Sequence, residues 1–120
     1  MSQATPAIVV GAGGVIGALL RHFVGQRLNA TQFPLATITV NILGSFALGV
    51  VTFLGIDETL LLLIGTGVCG SFTTFSTFSY ETVRLWEQQE RTLAIFNAVG
   101  NLIGATVAIG LAWGLVKAAT

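Results

Sequence analysis

Charged residues are scarce in this sequence, and their scarcity excludes most classes of protein. The 120 residues include five Lys and Arg, five Asp and Glu and one Cys, so that 8% of the chain is charged. A soluble domain carries about 25% charged residues, whereas a disordered chain combines low hydrophobicity with high charge. No basic patch is present for nucleic-acid phosphates, and one cysteine builds no disulfide framework. With 53% hydrophobic residues, the composition indicates an integral membrane protein.

The ten charges leave four long uncharged stretches. Each approaches the ~20 residues that a helix rising ~1.5 Å per residue needs to cross ~30 Å of hydrocarbon. The stretches lack the polar and apolar alternation of barrel strands. We therefore expect one all-α transmembrane domain over residues 1–120, with helices at about residues 7–24, 33–54, 60–83 and 93–116.

The same charges bear on orientation and chemistry. Four of the five basic residues, all arginines, fall on the side opposite the termini, so the positive-inside rule places the termini outside. The centres of the spans carry no Asp, Glu or Lys, which leaves a proton relay without a carrier. The sequence also lacks metal-ligand spacing and a nucleophile–base pair, so we expect no enzymatic activity.

A polar run interrupts the third predicted helix. Six of the nine residues from Ser71 to Ser79 carry hydroxyl groups, and Gly65, Gly67 and Gly70 stand just upstream. Glycine weakens a helix by ~1 kcal/mol relative to alanine, and hydroxyl groups satisfy backbone atoms that a break sets free. The run predicts a helix broken near mid-membrane, of the kind that lines a cavity or an ion site.

Aromatic and amide side chains suggest what such a cavity holds. Phe75 and Phe78 are three residues apart and share a helix face, and the edge of an aromatic ring is electropositive. Two ring edges beside hydroxyl donors suit a small anion, although rings that face lipid or pack on glycines are an alternative. Asn41 either donates to an anion or bridges helices. Asn97 and Asn101, four residues apart, share a face suited to interhelical hydrogen bonds.

Three motifs, in order along nearly the whole chain, resemble those of the CrcB/Fluc fluoride channels. The first is Gly-Gly-Val-Ile-Gly-Ala-Leu-Leu-Arg at residues 13–21. The second is Thr-Val-Asn at residues 39–41, followed by Gly-Ser-Phe at 44–46. The third and most specific is Gly-Val-Cys-Gly at residues 67–70, which runs into Thr-Thr-Phe-Ser-Thr-Phe-Ser at 73–79.

The resemblance implies a fluoride-selective channel of the cell membrane that lets cytoplasmic fluoride escape passively and so confers fluoride resistance. It further implies an antiparallel, dual-topology homodimer of four-helix subunits, with two pores along the subunit interface. The pore residues implied are Asn41, Phe75, Ser76, Thr77, Phe78 and Glu81.

For the phenylalanines of that set, the resemblance implies that their ring edges face the ion. It also implies that the asparagine lines the pore beside them, and that the hydroxyls and the glutamate form a polar track along the third helix. By the same resemblance, Arg21 is expected at the aqueous vestibule, and backbone carbonyls of Gly70 and Thr73 from both subunits are expected to hold a structural Na⁺ at the dimer centre.

Two positions depart from the family pattern. Ala105 stands where a serine is expected, and Asn97 where an aromatic residue occurs. The four-to-one basic bias also contrasts with the balanced charge that suits dual topology. The alternatives are a small multidrug-resistance-type transporter, whose proton coupling needs a glutamate in the first span, and a membrane scaffold without transport.

Overall fold

The computed structural model describes residues 4–28 and 32–120, which form helices and short connections, with no strand in these two ranges. α1 is Ala4–Arg27, α2 is Leu35–Leu54, α3 covers residues 58–72, α4 is Phe75–Glu87 and α5 is Arg91–Ala119. By length and composition, α1, α2, α5 and the combined segment Glu58–Glu87 can each cross a membrane. The described chain is thus all-helical, with four membrane-capable segments, as the uncharged stretches predict.

The connections are short and capped. Gly55 ends α2 in the left-handed conformation (φ 66°), and its N–H donates to the carbonyl of Thr52. Asp57 then caps the start of α3, because its carboxylate accepts from the N–H groups of Thr59 and Leu60. α2 itself begins at Leu35, two residues after the predicted Phe33, since Pro34 lies outside the helical conformation at its start.

The middle of α3 is wound more widely than an α-helix. Leu61–Cys69 is a π-helix between α-helical turns at Glu58–Leu60 and Gly70–Phe72, and the N–H of Gly70 reaches the carbonyl of Gly65, five residues earlier. π-helical turns are rare and occur frequently at functional sites. The glycines and hydroxyl groups of the sequence predict a break in the third segment but no π-helix before it.

α1 packs on α3 through glycines. Gly13 and Gly17 of α1 and Gly67 of α3 are buried. A Cβ placed on Gly67 would lie 2.8 Å from the Cα of Gly13 and 2.9 Å from the carbonyl oxygen of Val10. Helices in lipid associate through such close backbone contact. The Gly13–Gly17 spacing therefore serves packing within the chain.

The remaining helices pack on α5, and the break in the third segment lies between α3 and α4. α2 packs against α5, and α4 also lies along α5. α3 ends at Phe72 and α4 begins at Phe75, while Thr73 and Thr74 between them are extended. The third membrane-capable segment is thus broken at its middle, where the glycines and hydroxyl groups predict a break.

Candidate functional site

The break in the third segment is held by one side chain of α2. Asn41 accepts from the N–H of Thr74 at 2.8 Å through its Oδ1 and donates to the carbonyl of Thr74 at 3.1 Å through its Nδ2. The amide thus replaces the helical hydrogen bonds that the extended backbone gives up. Inside a membrane an unpaired backbone group costs several kcal/mol, so this contact permits the break.

The hydroxyl of Thr74 starts α4. It accepts from the N–H of Thr77 at 3.1 Å, as an N-cap does. It also donates to the Thr77 hydroxyl at 3.0 Å. The hydrogen of the Thr77 hydroxyl reaches no acceptor within residues 4–28 and 32–120, and Thr77 is exposed. This hydroxyl is therefore available to donate to an anion.

A chain of side-chain amides continues from Asn41 into α5. Its Nδ2 donates at 2.8 Å to Oδ1 of Asn101, whose own Nδ2 donates to Oδ1 of Asn97 at 3.0 Å. Asn97 then donates to the hydroxyl of Thr82 at 2.8 Å, and this hydroxyl donates to the carbonyl of Phe78 at 2.8 Å. Asn97 is 0% exposed and Asn101 is 6% exposed. The amides of α2 and α5 are therefore linked to α4 in the interior of the bundle.

A cavity of about 360 Å³ lies beside the break. The Phe75 and Phe78 rings border it, with centroids 5.8 Å apart and planes inclined by 45°. Phe75 is 79% exposed. The lining is uncharged and also contains Asn41, Gly44, Ser45, Leu48, Cys69, Gly70, Thr73, Thr74, Asn101, Leu102 and Ala105. Aromatic rings and neutral polar groups are thus what this cavity presents to an ion.

A second cavity, of about 330 Å³, brings together three titratable side chains. Arg21 and His22 of α1 line it with Thr77 and Glu81 of α4. Thr74 lines both cavities. Oε1 of Glu81 is buried and has no hydrogen-bond partner in the described part of the chain. The second cavity therefore offers a cationic side chain, a free hydroxyl and a carboxylate in one place.

The structure brings most of the expected residues together but separates one of them. Asn41, Phe75 and Phe78 line the first cavity, whereas Arg21, Thr77 and Glu81 line the second. Ser76 is exposed and lines neither of these two cavities. The individual roles of these residues remain predictions.

The backbone carbonyls of Gly70 and Thr73, which are expected to hold Na⁺, offer the oxygen ligands that a hard cation prefers. The N–H that a continuous helix would direct to the Gly70 carbonyl belongs to Thr74, and it donates to Asn41 instead. The N–H of Thr77, which would serve the carbonyl of Thr73, donates to the hydroxyl of Thr74. The break thus leaves two carbonyl oxygens without their helical donors, and oxygen is the ligand that hard cations prefer.

Sequence reasoning underrated Asn97, Asn101 and Thr82. The four-residue spacing of the asparagines predicts a shared face, which the structure confirms. Their partners depend on how α5 packs against α2 and α4, which no local pattern indicates. Thr82 carries no signal beyond lying four residues after Phe78.

Comparison with known proteins supplies the family. The profile described as "CrcB-like protein, Camphor Resistance (CrcB)" matches residues 8–114. The chain belongs to the CrcB family. It is 59% identical over 92% of its length to "Fluoride-specific ion channel FluC 2" of Haloarcula marismortui, of which 93% is covered. It is 46% identical over 94% of its length to "Fluoride-specific ion channel FluC 1" of Halobacterium salinarum, of which 95% is covered.

Membership of the CrcB family confirms the resemblance drawn from the three motifs. These relatives are named as ion channels and not as enzymes, in agreement with the expectation that the chain is not an enzyme. The proton-coupled transporter is not favoured, because α1 contains no glutamate. Membership and the four membrane-capable segments make the chain a multi-pass membrane protein.

Proposed function

We propose that this protein is a fluoride-selective channel that lets cytoplasmic fluoride leave the cell passively across the cell membrane. The observation that carries the proposal is the uncharged cavity at the broken segment, with two phenylalanine rings 5.8 Å apart. Its close relatives are named fluoride-specific ion channels. A passive pathway needs no proton carrier, and the sequence offers none at the centre of its spans.

The chemistry of the two cavities suits a small, strongly hydrated anion. Conduction requires contacts that replace the hydration shell yet release the ion. Ring edges at Phe75 and Phe78 and the free hydroxyl of Thr77 supply positive potential without a buried full charge. Arg21, in the second cavity, attracts anions at the aqueous end, and Asn41 borders the pathway beside the rings. Ser76 and Glu81 extend the polar track along α4.

The proposal includes an antiparallel, dual-topology homodimer. Phe75 is 79% exposed in the single chain, so one subunit alone leaves this ring uncovered. A second copy in the opposite orientation encloses the pathway and yields two pores. Carbonyls of Gly70 and Thr73 from both copies would hold a structural Na⁺ at the centre, where it would balance the partial negative charge of the carbonyl oxygens and take no part in conduction.

The experiment is fluoride release from liposomes. Purified protein is reconstituted into vesicles loaded with potassium fluoride or potassium chloride. Efflux is followed with a fluoride-selective or a chloride-selective electrode after addition of a potassium ionophore to balance charge. We expect rapid release without a proton gradient, and far slower release from vesicles loaded with potassium chloride. Release that depends on a proton gradient would indicate a coupled transporter, and no release would indicate a scaffold; either result contradicts the proposal.

A further inference from the structure

The amide of Asn41 has no hydrogen left for an anion. A side-chain amide carries two N–H donors. In Asn41 one donates to the carbonyl of Thr74 at 3.1 Å and the other to Oδ1 of Asn101 at 2.8 Å. Its oxygen is occupied by the N–H of Thr74 at 2.8 Å. Although Asn41 lines the first cavity, its polar atoms are committed to the protein.

The hydrogen bonds that leave Asn41 return to the helix where they began. Asn101 and Asn97 of α5 carry the chain to Thr82, and Thr82 donates to the carbonyl of Phe78. Thr74 and Phe78 are both on the segment that carries the two phenylalanine rings. The chain therefore forms a closed loop that links two points of this segment through α2 and α5.

We propose that Asn101, Asn97 and Thr82 are positioning residues of the ion pathway, which act through Asn41 on the placement of the Phe75 and Phe78 rings. This inference rests on the proposed function and deepens it. Asn97 and Asn101 are almost fully buried, so the loss of one partner leaves another polar group unpaired in the interior. Such a loss shifts an equilibrium by about tenfold or more. Since both ends of the loop attach to the ring-bearing segment, its opening loosens the rings.

The first test compares single variants in the liposome assay. Thr82→Val keeps the shape of the side chain and removes the acceptor of Asn97, whereas Thr82→Ser keeps the hydroxyl. Asn101→Ala removes the central link. As a matched control, Thr106→Val removes an exposed hydroxyl that bonds only within α5, to the carbonyl of Leu102. We expect Asn101→Ala to lower fluoride flux about tenfold and Thr82→Val severalfold, with flux recovered in Thr82→Ser and unchanged in Thr106→Val.

The ratio of fluoride to chloride flux separates positioning from a general loss of folded protein. This ratio does not depend on how many channels are active, so misfolding alone leaves it unchanged. We expect the ratio to fall in Asn101→Ala and Thr82→Val. Wild-type fluoride flux and an unaltered ratio in both variants would overturn the inference.

A double variant tests whether the residues act as one chain. If Asn101 and Thr82 belong to the same loop, Asn101→Ala with Thr82→Val has the effect of the more severe single variant. Independent contacts with the ion would instead multiply the two losses, and that result contradicts the inference. The same two single variants and the double variant are also compared by their loss of thermal stability. This measurement requires no transport, so it can be made on variants whose flux is too low to compare.

The two proposals fail in different ways. A wild-type protein that releases no fluoride contradicts the proposed function and the positioning role that rests on it. Wild-type release together with additive losses of thermal stability contradicts the hydrogen-bonded loop alone.

Discussion

Asn41 pairs with the backbone of Thr74 in both directions, accepting from its N–H at 2.8 Å and donating to its carbonyl at 3.1 Å. One residue of α2 thereby satisfies the two polar groups that an extended residue exposes within a membrane segment. The backbone around the break is stabilised from outside its own helix. The identity of position 41 and the conformation of position 74 are consequently coupled.

We expect Thr74→Val to destabilise the protein. Valine matches threonine in shape but cannot accept from the N–H of Thr77, which removes the N-cap of α4. Loss of an N-cap costs about 1 kcal/mol. The measurement is the midpoint of thermal unfolding in detergent, with Thr74→Ser as the variant that retains the cap. A valine variant as stable as the wild type would show that the cap contributes nothing.

Replacement of either pore phenylalanine should impair fluoride flux. Phe75→Ile and Phe78→Ile keep an apolar side chain but remove the electropositive ring edge. Either change also breaks the Phe75–Phe78 ring pair, and because such a pair is worth about 1 kcal/mol, we expect flux to fall about fivefold or more in liposomes. Phe23→Ile changes an exposed phenylalanine of α1 outside both cavities and should conduct normally. Wild-type flux through both pore variants would refute the assignment.

The charge of Arg21 should matter most at low ionic strength. We expect Arg21→Gln to reduce fluoride flux, because the arginine raises the local anion concentration in the second cavity. The Debye length shrinks from about 30 Å at 0.01 M salt to about 10 Å at 0.1 M, so the loss should diminish as salt is added. Arg91→Gln removes the same charge from an exposed site beside Trp86. Equal losses in the two variants would mean that the location of Arg21 is immaterial.

A methyl group at Gly67 should separate α1 from α3. Its carbon would lie 2.8 Å from the Cα of Gly13, and backbone atoms cannot turn aside as a side chain does. Overpacking of this kind costs about 1–3 kcal/mol, so Gly67→Ala should unfold at a lower temperature. Gly14→Ala, with nothing within 4 Å of the added carbon, is the matched control and should be as stable as the wild type or more so. The reverse order would contradict the close contact.

The antiparallel arrangement predicts mixed accessibility of one position. Gln88 lies exposed between α4 and α5. Cys69, the one native cysteine, is 4% exposed, so we expect it to react little with thiol reagents. In sealed vesicles, an impermeant maleimide should label about half of a Gln88→Cys protein if both orientations insert equally. The rest should react once the membrane is permeabilised. Complete labelling, or none, before permeabilisation would indicate a single orientation and remove the antiparallel dimer.

Local composition predicts the helices because the membrane imposes a simple condition on them. Uncharged stretches of about 20 residues are long enough to cross, and hydroxyl groups beside glycines indicate where a helix is able to break. The position of the break, at Thr73 and Thr74, is therefore predictable from neighbouring residues. Its stabilisation by Asn41, 33 positions earlier, depends on how α2 packs and is absent from any local pattern.

Less of the site than of the helices can be predicted from the sequence, because much of the site depends on how distant helices pack. The ring pair at Phe75 and Phe78 follows from a three-residue spacing, and the grouping of Asn97 with Asn101 from a four-residue spacing. Neither the π-helix of α3 nor the buried, unpaired oxygen of Glu81 is indicated by a local spacing of residues. These are the features for which a tertiary structure is required.

The closed loop of hydrogen bonds limits how the side-chain amides of Asn41, Asn101 and Asn97 can be rotated. A backbone N–H can only donate, so that of Thr74 obliges Asn41 to turn its oxygen towards the break and its nitrogen towards Asn101. Asn101 must then accept with its oxygen, and it presents its nitrogen to Asn97. The backbone of Thr74 thus fixes the rotation of the Asn41 amide, and the backbone carbonyl of Asn97, which accepts from Nδ2 of Asn101 at 2.8 Å, fixes that of Asn101 in the same sense. Neither of these two amides can flip without losing its contact with the backbone, and the interior of the protein retains one arrangement.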